Sequence, residues 1–119
     1  MAKILLAEDD DSMRSFLERA IERAGHKVVS VDRGTEALPH IASGNFDLLL
    51  TDIVMPEMDG IELAQRASVL APAIRVMFIT GFAAVALNKG SGVPSNAKVL
   101  SKPFHLRELI GEIDRLLAA

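Results

Sequence analysis

Five side chains with reactive or charge-bearing groups stand where apolar runs end. Glu8 and Asp9 follow Ile4–Ala7 in KILLAEDDD, Asp52 closes FDLLLTD, Thr80 closes VMFIT and Lys102 follows KVLS. In an open α/β sheet, sites form outside the carboxyl ends of the strands. If the first and third strands are neighbours, Glu8, Asp9 and Asp52 converge, and three crowded carboxylates repel until a proton or a cation relieves them. A ligand set made only of oxygens favours a hard divalent ion, Mg2+ above all. Lys102 adds a compact positive charge and Thr80 a hydroxyl donor. Metal, ammonium and hydroxyl around one carboxylate suit a bound phosphoryl group, whose equatorial oxygens need neutralising. Asp52 is then the nucleophile that forms an acyl phosphate. Taken singly, acids such as Glu8, Asp10 or Asp11 more often cap helices. The joint placement at four strand ends makes the signal specific.

The elements that must position these groups alternate along the chain. Strands are expected at Lys3–Ala7, Lys27–Val31, Phe46–Thr51, Arg75–Ile79 and Lys98–Leu100. Between the first two, Met13, Phe16, Leu17, Ala20, Ile21 and Ala24 share one helical face, with Asp11 or Ser12 as cap and Gly25 as stop. A second helix is expected over Arg33–Ser43, where Pro39 predicts a kink or a late start. A third helix is expected over Glu57–Leu70. The final helix carries a single stripe of Leu106, Leu109, Ile110, Ile113, Leu116 and Leu117. Such alternation predicts an α/β fold, a doubly wound five-stranded parallel sheet of flavodoxin-like type. The continuously apolar strands fit coverage on both faces.

The chain has 119 residues, half of them hydrophobic, which fits one domain with a substantial core. With 13 basic and 16 acidic residues, the net charge of −3 argues against sequence-independent nucleic-acid binding. There is no cysteine, so disulfides and thiolate metal sites are excluded and a reducing cytoplasm is the expectation. The N-terminal apolar run is too short for a signal peptide and no stretch approaches a membrane span. The three histidines, His26, His40 and His105, show no helical ligand spacing.

Together AEDD, TDIVMPEMDG, FITG and SKPF resemble the receiver domain of bacterial two-component response regulators over the whole chain. The resemblance implies strand order 2-1-3-4-5, a metal-binding acid pair at Glu8 and Asp9, and phosphorylation of Asp52 by a histidine kinase or histidine phosphotransfer protein. It places a Mg2+-ligating backbone carbonyl at Val54, the switch hydroxyl at Thr80, the phosphate-binding lysine at Lys102 and a cis bond before Pro103. MPEMDGIELA, FITGFAAVALN and AKVLSKPFHLREL are more closely similar to stand-alone cell-cycle receivers of alphaproteobacteria. Those prime a ClpX-type unfoldase and its protease for selected substrates. The chain stops two residues after its last helical pattern, so the expectation is one receiver domain over 1–119 with no output domain, acting by contact. It is not expected to be an enzyme beyond phosphotransfer and slow self-dephosphorylation. Service as a phosphorelay intermediate is an alternative within the same family.

Two features depart from the family. The aromatic expected three positions before the lysine is replaced by Val99, so ring rotation coupled to the hydroxyl is unavailable. After strand four come Phe82 to Leu87, six apolar residues, and then the loop KGSGVPSN. Contiguous apolar surface marks interaction sites, which makes Phe82, Val85, Leu87 and Val99 the expected partner surface. Two other classes compete. A Mg-dependent phosphatase with an aspartate nucleophile requires a second Asp two residues on, where Val54 stands. A flavodoxin-like electron carrier shares the architecture, but the acidic EDDD loop would repel a flavin phosphate.

Overall fold

Leu48, Leu49 and Leu50 are consecutive and all fully buried, because successive side chains of a strand point to opposite faces. Leu49 joins Leu5, Ala7, Val76 and Phe78 on one face. Leu48 and Leu50 join Ile4, Leu6, Met77 and Ile79 on the other. A sheet buried on both faces needs helices on both, and the chain supplies them. The computed structural model describes residues 2–80, 97–102 and 104–118, with Thr80 described by its backbone alone.

In chain order the elements are β1 (Lys3–Ala7), α1 (Asp11–Arg23), β2 (Lys27–Val31), α2 (Gly34–Ser43), β3 (Leu48–Asp52), α3 (Gly60–Leu70), β4 (Arg75–Thr80), β5 (Lys98–Ser101) and α4 (Leu106–Ala118). The five strands form one parallel sheet of order β2-β1-β3-β4-β5. The chain therefore has the doubly wound, flavodoxin-like receiver architecture. Ala37 and Ile41 of α2 and Leu63, Ala64 and Ala67 of α3 cover the face carrying Phe78. Leu17 and Ile21 of α1 and Leu109 and Ile113 of α4 cover the other.

Several boundaries differ from the sequence reading. Asp10, not Asp11 or Ser12, caps α1, its carboxylate accepting the Met13 N–H at 2.9 Å. Phe16, expected on the buried face of α1, is 54% exposed. α2 runs continuously from Gly34 past Pro39 to Ser43, so the helix has no late start. Phe46 lies before β3 rather than in it, edge-on to His40 and under the Lys3 ammonium. α3 begins at Gly60 rather than Glu57, because Asp59 takes the cap position and accepts the Glu62 N–H at 2.8 Å. The histidines serve local structure. His26 accepts the Ala2 N–H on Nδ1 and bonds Asp114 of α4 through Nε2, while the His105 carbonyl accepts from Glu108 and Leu109 at the start of α4.

Between β3 and α3 the backbone tightens. Met58 N–H donates to the Pro56 carbonyl at 2.8 Å across Glu57, whose φ is 71°. This is a γ-turn of the strained, positive-φ kind. Side-chain relief is small, a 3.3 Å exposed ion pair from Glu57 to Arg33. The strain is on the order of 1–3 kcal/mol. Against it stand about 0.5–1 kcal/mol of extra chain entropy for glycine and up to about 1 kcal/mol for the ion pair. Glu57→Gly is therefore expected to stabilise the protein by about 0.5–1 kcal/mol. Urea unfolding followed by far-UV circular dichroism checks this, since the chain has no Trp or Tyr.

Candidate functional site

Asp52 is the last residue of β3 and is nearly buried. Each of its carboxylate oxygens has a donor: Oδ1 accepts the Ile53 N–H at 2.7 Å and Oδ2 the Lys102 ammonium at 3.0 Å. Its backbone carbonyl accepts the Thr51 hydroxyl at 2.8 Å. The start of α3 is laid directly on this strand end. Gly60 N–H donates to the Ile53 carbonyl at 2.8 Å, and a Cβ on Gly60 would stand 2.0 Å from the Asp52 carbonyl oxygen. Only glycine permits that approach. Gly60 thus acts on the site through backbone contact. Sequence reasoning quoted it as the end of TDIVMPEMDG without seeing this role, for which D-G before a helical pattern was the available signal.

The pairing of β1 with β3 carries Glu8 and Asp9 to the same rim, Ala7 standing opposite Thr51. Carboxylate oxygens of Glu8, Asp9 and Asp52 all lie within 4.8 Å of one another. Glu8 is fully buried, and Asp9 is exposed. Lys102, directly after β5, reaches across to bond Glu8 Oε1 at 3.2 Å as well as Asp52. The Lys102 side chain is 27% exposed, so water screens the pairing only in part. Glu8 Oε2 has no partner among the described residues. A buried orphan oxygen beside two further carboxylates is an electron-rich niche, and its oxygen-only donors fit a small hard divalent cation.

The electrostatics follow from the crowding. Burial, and then the neighbouring Asp52 carboxylate, push the Glu8 carboxyl up to about 7 against the opposing pull of Lys102. Partial burial works to lower the Lys102 ammonium. Its bond to Asp52 and the charges of Glu8 and Asp52 outweigh burial, and the net shift is upward. One ammonium shared between two acids leaves the cluster with excess negative charge.

Thr80 ends β4, its backbone in register with Ser101 of β5, which puts it one strand away from Asp52. Val54 lies two residues beyond Asp52 and is 55% exposed. Val99 of β5 is half-buried, stands opposite Phe78 and packs on the face covered by α2 and α3. Phe82, Val85 and Leu87, together with the bond to Pro103, lie outside the described residues.

A parallel sheet of this order, with an acid cluster and a lysine at its carboxyl rim, defines a receiver fold, and sequence comparison agrees. Residues 4–114 match the response regulator receiver domain family, and the chain belongs to it. Accepting a phosphoryl group on aspartate is generic to receiver domains. The chain is 60% identical over 119 residues to the response regulator receiver protein CpdR of Brucella abortus, covering all of this chain and 99% of that one. It is 35% identical over 120 residues to the sensor kinase CckA of the same organism, but spans only 12% of that protein. Among solved structures it is similar to a response regulator receiver protein from Sinorhizobium medicae, with a TM-score of 0.89 and 31% identity over 99% of this chain and 95% of that one. It also resembles the response regulator TrrA of Thermotoga maritima in complex with Mg2+ and BeF, with a TM-score of 0.87 and 26% identity over 98% of this chain and 99% of that one. No described helix is long and apolar enough to cross a membrane.

Two outcomes are expected from this geometry. Between the ordinary Glu8 value of 4.5 and about 7, the folded protein holds a proton that the unfolded chain has released. Raising pH through that window therefore removes stability. The metal-free melting temperature should fall from about pH 5 to 7.5, and Glu8→Gln should flatten this slope; thermal melts by circular dichroism measure both. Gly60→Ala drives a methyl group into backbone that cannot rotate away. It should cost more than about 2 kcal/mol in denaturant unfolding, as forced overpacking does.

Proposed function

We propose that this chain is a response regulator in which Asp52 accepts a phosphoryl group from a phospho-histidine donor and thereby switches a protein–protein contact. The observation that carries the reading is the Lys102 ammonium held 3.0 Å from Asp52 Oδ2 beside the Glu8–Asp9–Asp52 cluster. A carboxylate so placed has a cation waiting for phosphoryl oxygens. The donor is a histidine kinase or a histidine phosphotransfer protein. As the new O–P bond forms at Asp52, the N–P bond of the donor breaks, and the leaving imidazole keeps the electron pair and takes a proton from water.

Glu8, Asp9, Asp52 and the Val54 carbonyl are the groups to hold Mg2+, which when bound neutralises charge on the transferring phosphoryl group. Lys102 shifts its bond from Asp52 to a phosphoryl oxygen, and the Thr80 hydroxyl donates to another. Val54, apolar and exposed, offers no group to orient an attacking water, which fits a slowly hydrolysed acyl phosphate. The chain is thus a phosphoacceptor rather than an enzyme acting on a separate substrate, and it works as a single cytoplasmic receiver domain that needs neither nucleic acid nor membrane.

The partner reading is narrower. The unphosphorylated form engages a ClpX-type unfoldase and primes it for substrate degradation through a surface that includes Phe82, Val85, Leu87 and Val99. Similarity to CpdR over nearly the whole length of that protein supports placing this chain among contact-acting receivers.

The test has two stages. Acid-labile, Mg2+-dependent labelling by acetyl phosphate should vanish in Asp52→Asn, and a label that persists moves the acceptor elsewhere. In a titration against a ClpX-type unfoldase, the free form should bind about 5- to 150-fold more tightly than the phosphorylated form, the usual range of such coupling. Equal affinities would remove the unfoldase from the reading and leave the phosphoacceptor intact.

A further inference from the structure

Glu8 is the hinge of the acid cluster, and both of its backbone groups are held from outside β1. Its N–H donates to the Val31 carbonyl at 3.1 Å, tying it to β2. Its carbonyl, which follows the last residue of the strand, accepts Nη1 of Arg14 at 2.9 Å. Arg14 comes from the first turn of α1, where Nη2 is braced by Asp11 Oδ1 at 2.6 Å and the Arg14 backbone N–H bonds the Asp10 carbonyl at 2.8 Å.

The Glu8 carbonyl belongs to the peptide that joins Glu8 to Asp9, and that peptide is planar. Fixing the carbonyl direction fixes the plane, and the plane sets how the Glu8 and Asp9 side chains diverge from the strand end. The guanidinium supplies two donors in a rigid fork, one on the carbonyl and one on Asp11, which an ammonium cannot reproduce. Its side chain is 22% exposed while the Asp11 side chain is 85% exposed. The bond to Glu8 is thus the sheltered arm and the bond to Asp11 the wet one.

We propose that Arg14 is a positioning residue for divalent-cation binding: by holding the Glu8–Asp9 peptide it presets the angle between two of the three carboxylates that receive Mg2+. This rests on the reading of Glu8, Asp9 and Asp52 as the cation site. Groups that orient metal-binding residues typically contribute a factor of about 10–100 in affinity. Because Arg14 acts through backbone, its effect falls on the metal-binding constant rather than on global stability alone.

Isothermal titration with Mg2+ on the full chain, at fixed pH and ionic strength, tests this with four proteins: wild type, Arg14→Ala, Arg14→Lys and Asp11→Ala. Folding of each is checked by its far-UV spectrum, and melting temperature without Mg2+ is recorded beside the affinity. Arg14→Ala should weaken Mg2+ binding roughly ten-fold. Arg14→Lys, which keeps the charge and loses the fork, should recover less than half of that loss on a logarithmic scale. Asp11→Ala should weaken binding by a smaller factor with an unchanged melting temperature, and it keeps the test alive if Arg14→Ala fails to fold. Wild-type affinity in Asp11→Ala together with wild-type affinity in Arg14→Lys overturns the proposal, since charge alone would then suffice. Wild-type affinity in a folded Arg14→Ala overturns it outright. Failure of the wild type to take up Mg2+ would instead overturn the cation site itself, and this inference with it.

Discussion

Gathering like charge at one rim is the constraint on which the rest of the structure depends. Glu8, Asp9 and Asp52 bring three carboxylates within 4.8 Å, and the described cation between them, Lys102, bonds only two. Carboxylates so arranged do not assemble spontaneously; some other free energy must hold them together. That free energy comes from the strands beneath them. Ile4, Leu5, Leu6, Ala7, Leu48, Leu49 and Leu50 are all fully buried, and each large aliphatic side chain among them contributes about 1.5–3 kcal/mol by leaving water. The apolar strands are rigid arms, and the acids are what the arms present.

The strand order then decides which charges meet. β1 and β3 are neighbours only because β2 has been placed outside β1 and β4 on the far side of β3. This reversal of winding opens a crevice at the carboxyl edge, where sites of open α/β sheets form. β5 completes the arrangement from two strands away, and a lysine suits that distance. Its flexible four-carbon stem spans from the β5 edge to Asp52, while the side chain as a whole remains partly in water. A shorter cation could not bridge Glu8 and Asp52 from that strand.

Much of this was legible in the residues. Uninterrupted apolar runs ending in acid, hydroxyl or lysine announced doubly covered strands and the groups at their tips, and the period of Leu109 and Ile113 announced α4. Other features were not legible, for physical reasons. Capping by Asp10 rather than Asp11 depends on a one-residue choice among three adjacent acids with nearly equal capping propensity. Phe16 falls on the helical period yet stays exposed, because periodicity finds a face and does not say how far the neighbouring helix reaches across it. α2 accepts Pro39 because tertiary packing of Ala37 and Ile41 against the sheet outweighs one missing hydrogen bond. The different states of Glu8 and Asp9, one sealed and one wet, come from three-dimensional neighbours that no spacing encodes.

The junction of β3 with α3 shows why a change at Asp52 cannot be absorbed locally. The Asp52 carbonyl is held by the Thr51 hydroxyl and faces Gly60 at a separation that excludes a methyl group. Seven residues lie between Asp52 and Gly60, and among them Glu57 is already in a strained γ-turn. Beyond it Met58 lies against Gly34 at the start of α2, where a Cβ would stand 3.2 Å from the Met58 carbonyl oxygen. Interiors packed to this density respond to force by moving whole elements rather than by compressing. A shift of the Asp52 backbone therefore has two rigid exits, through Gly60 into α3 and through Met58 and Gly34 into α2. The loop that follows the acceptor is short, sterically closed and strained at Glu57, and these properties make it a transmitter instead of a cushion.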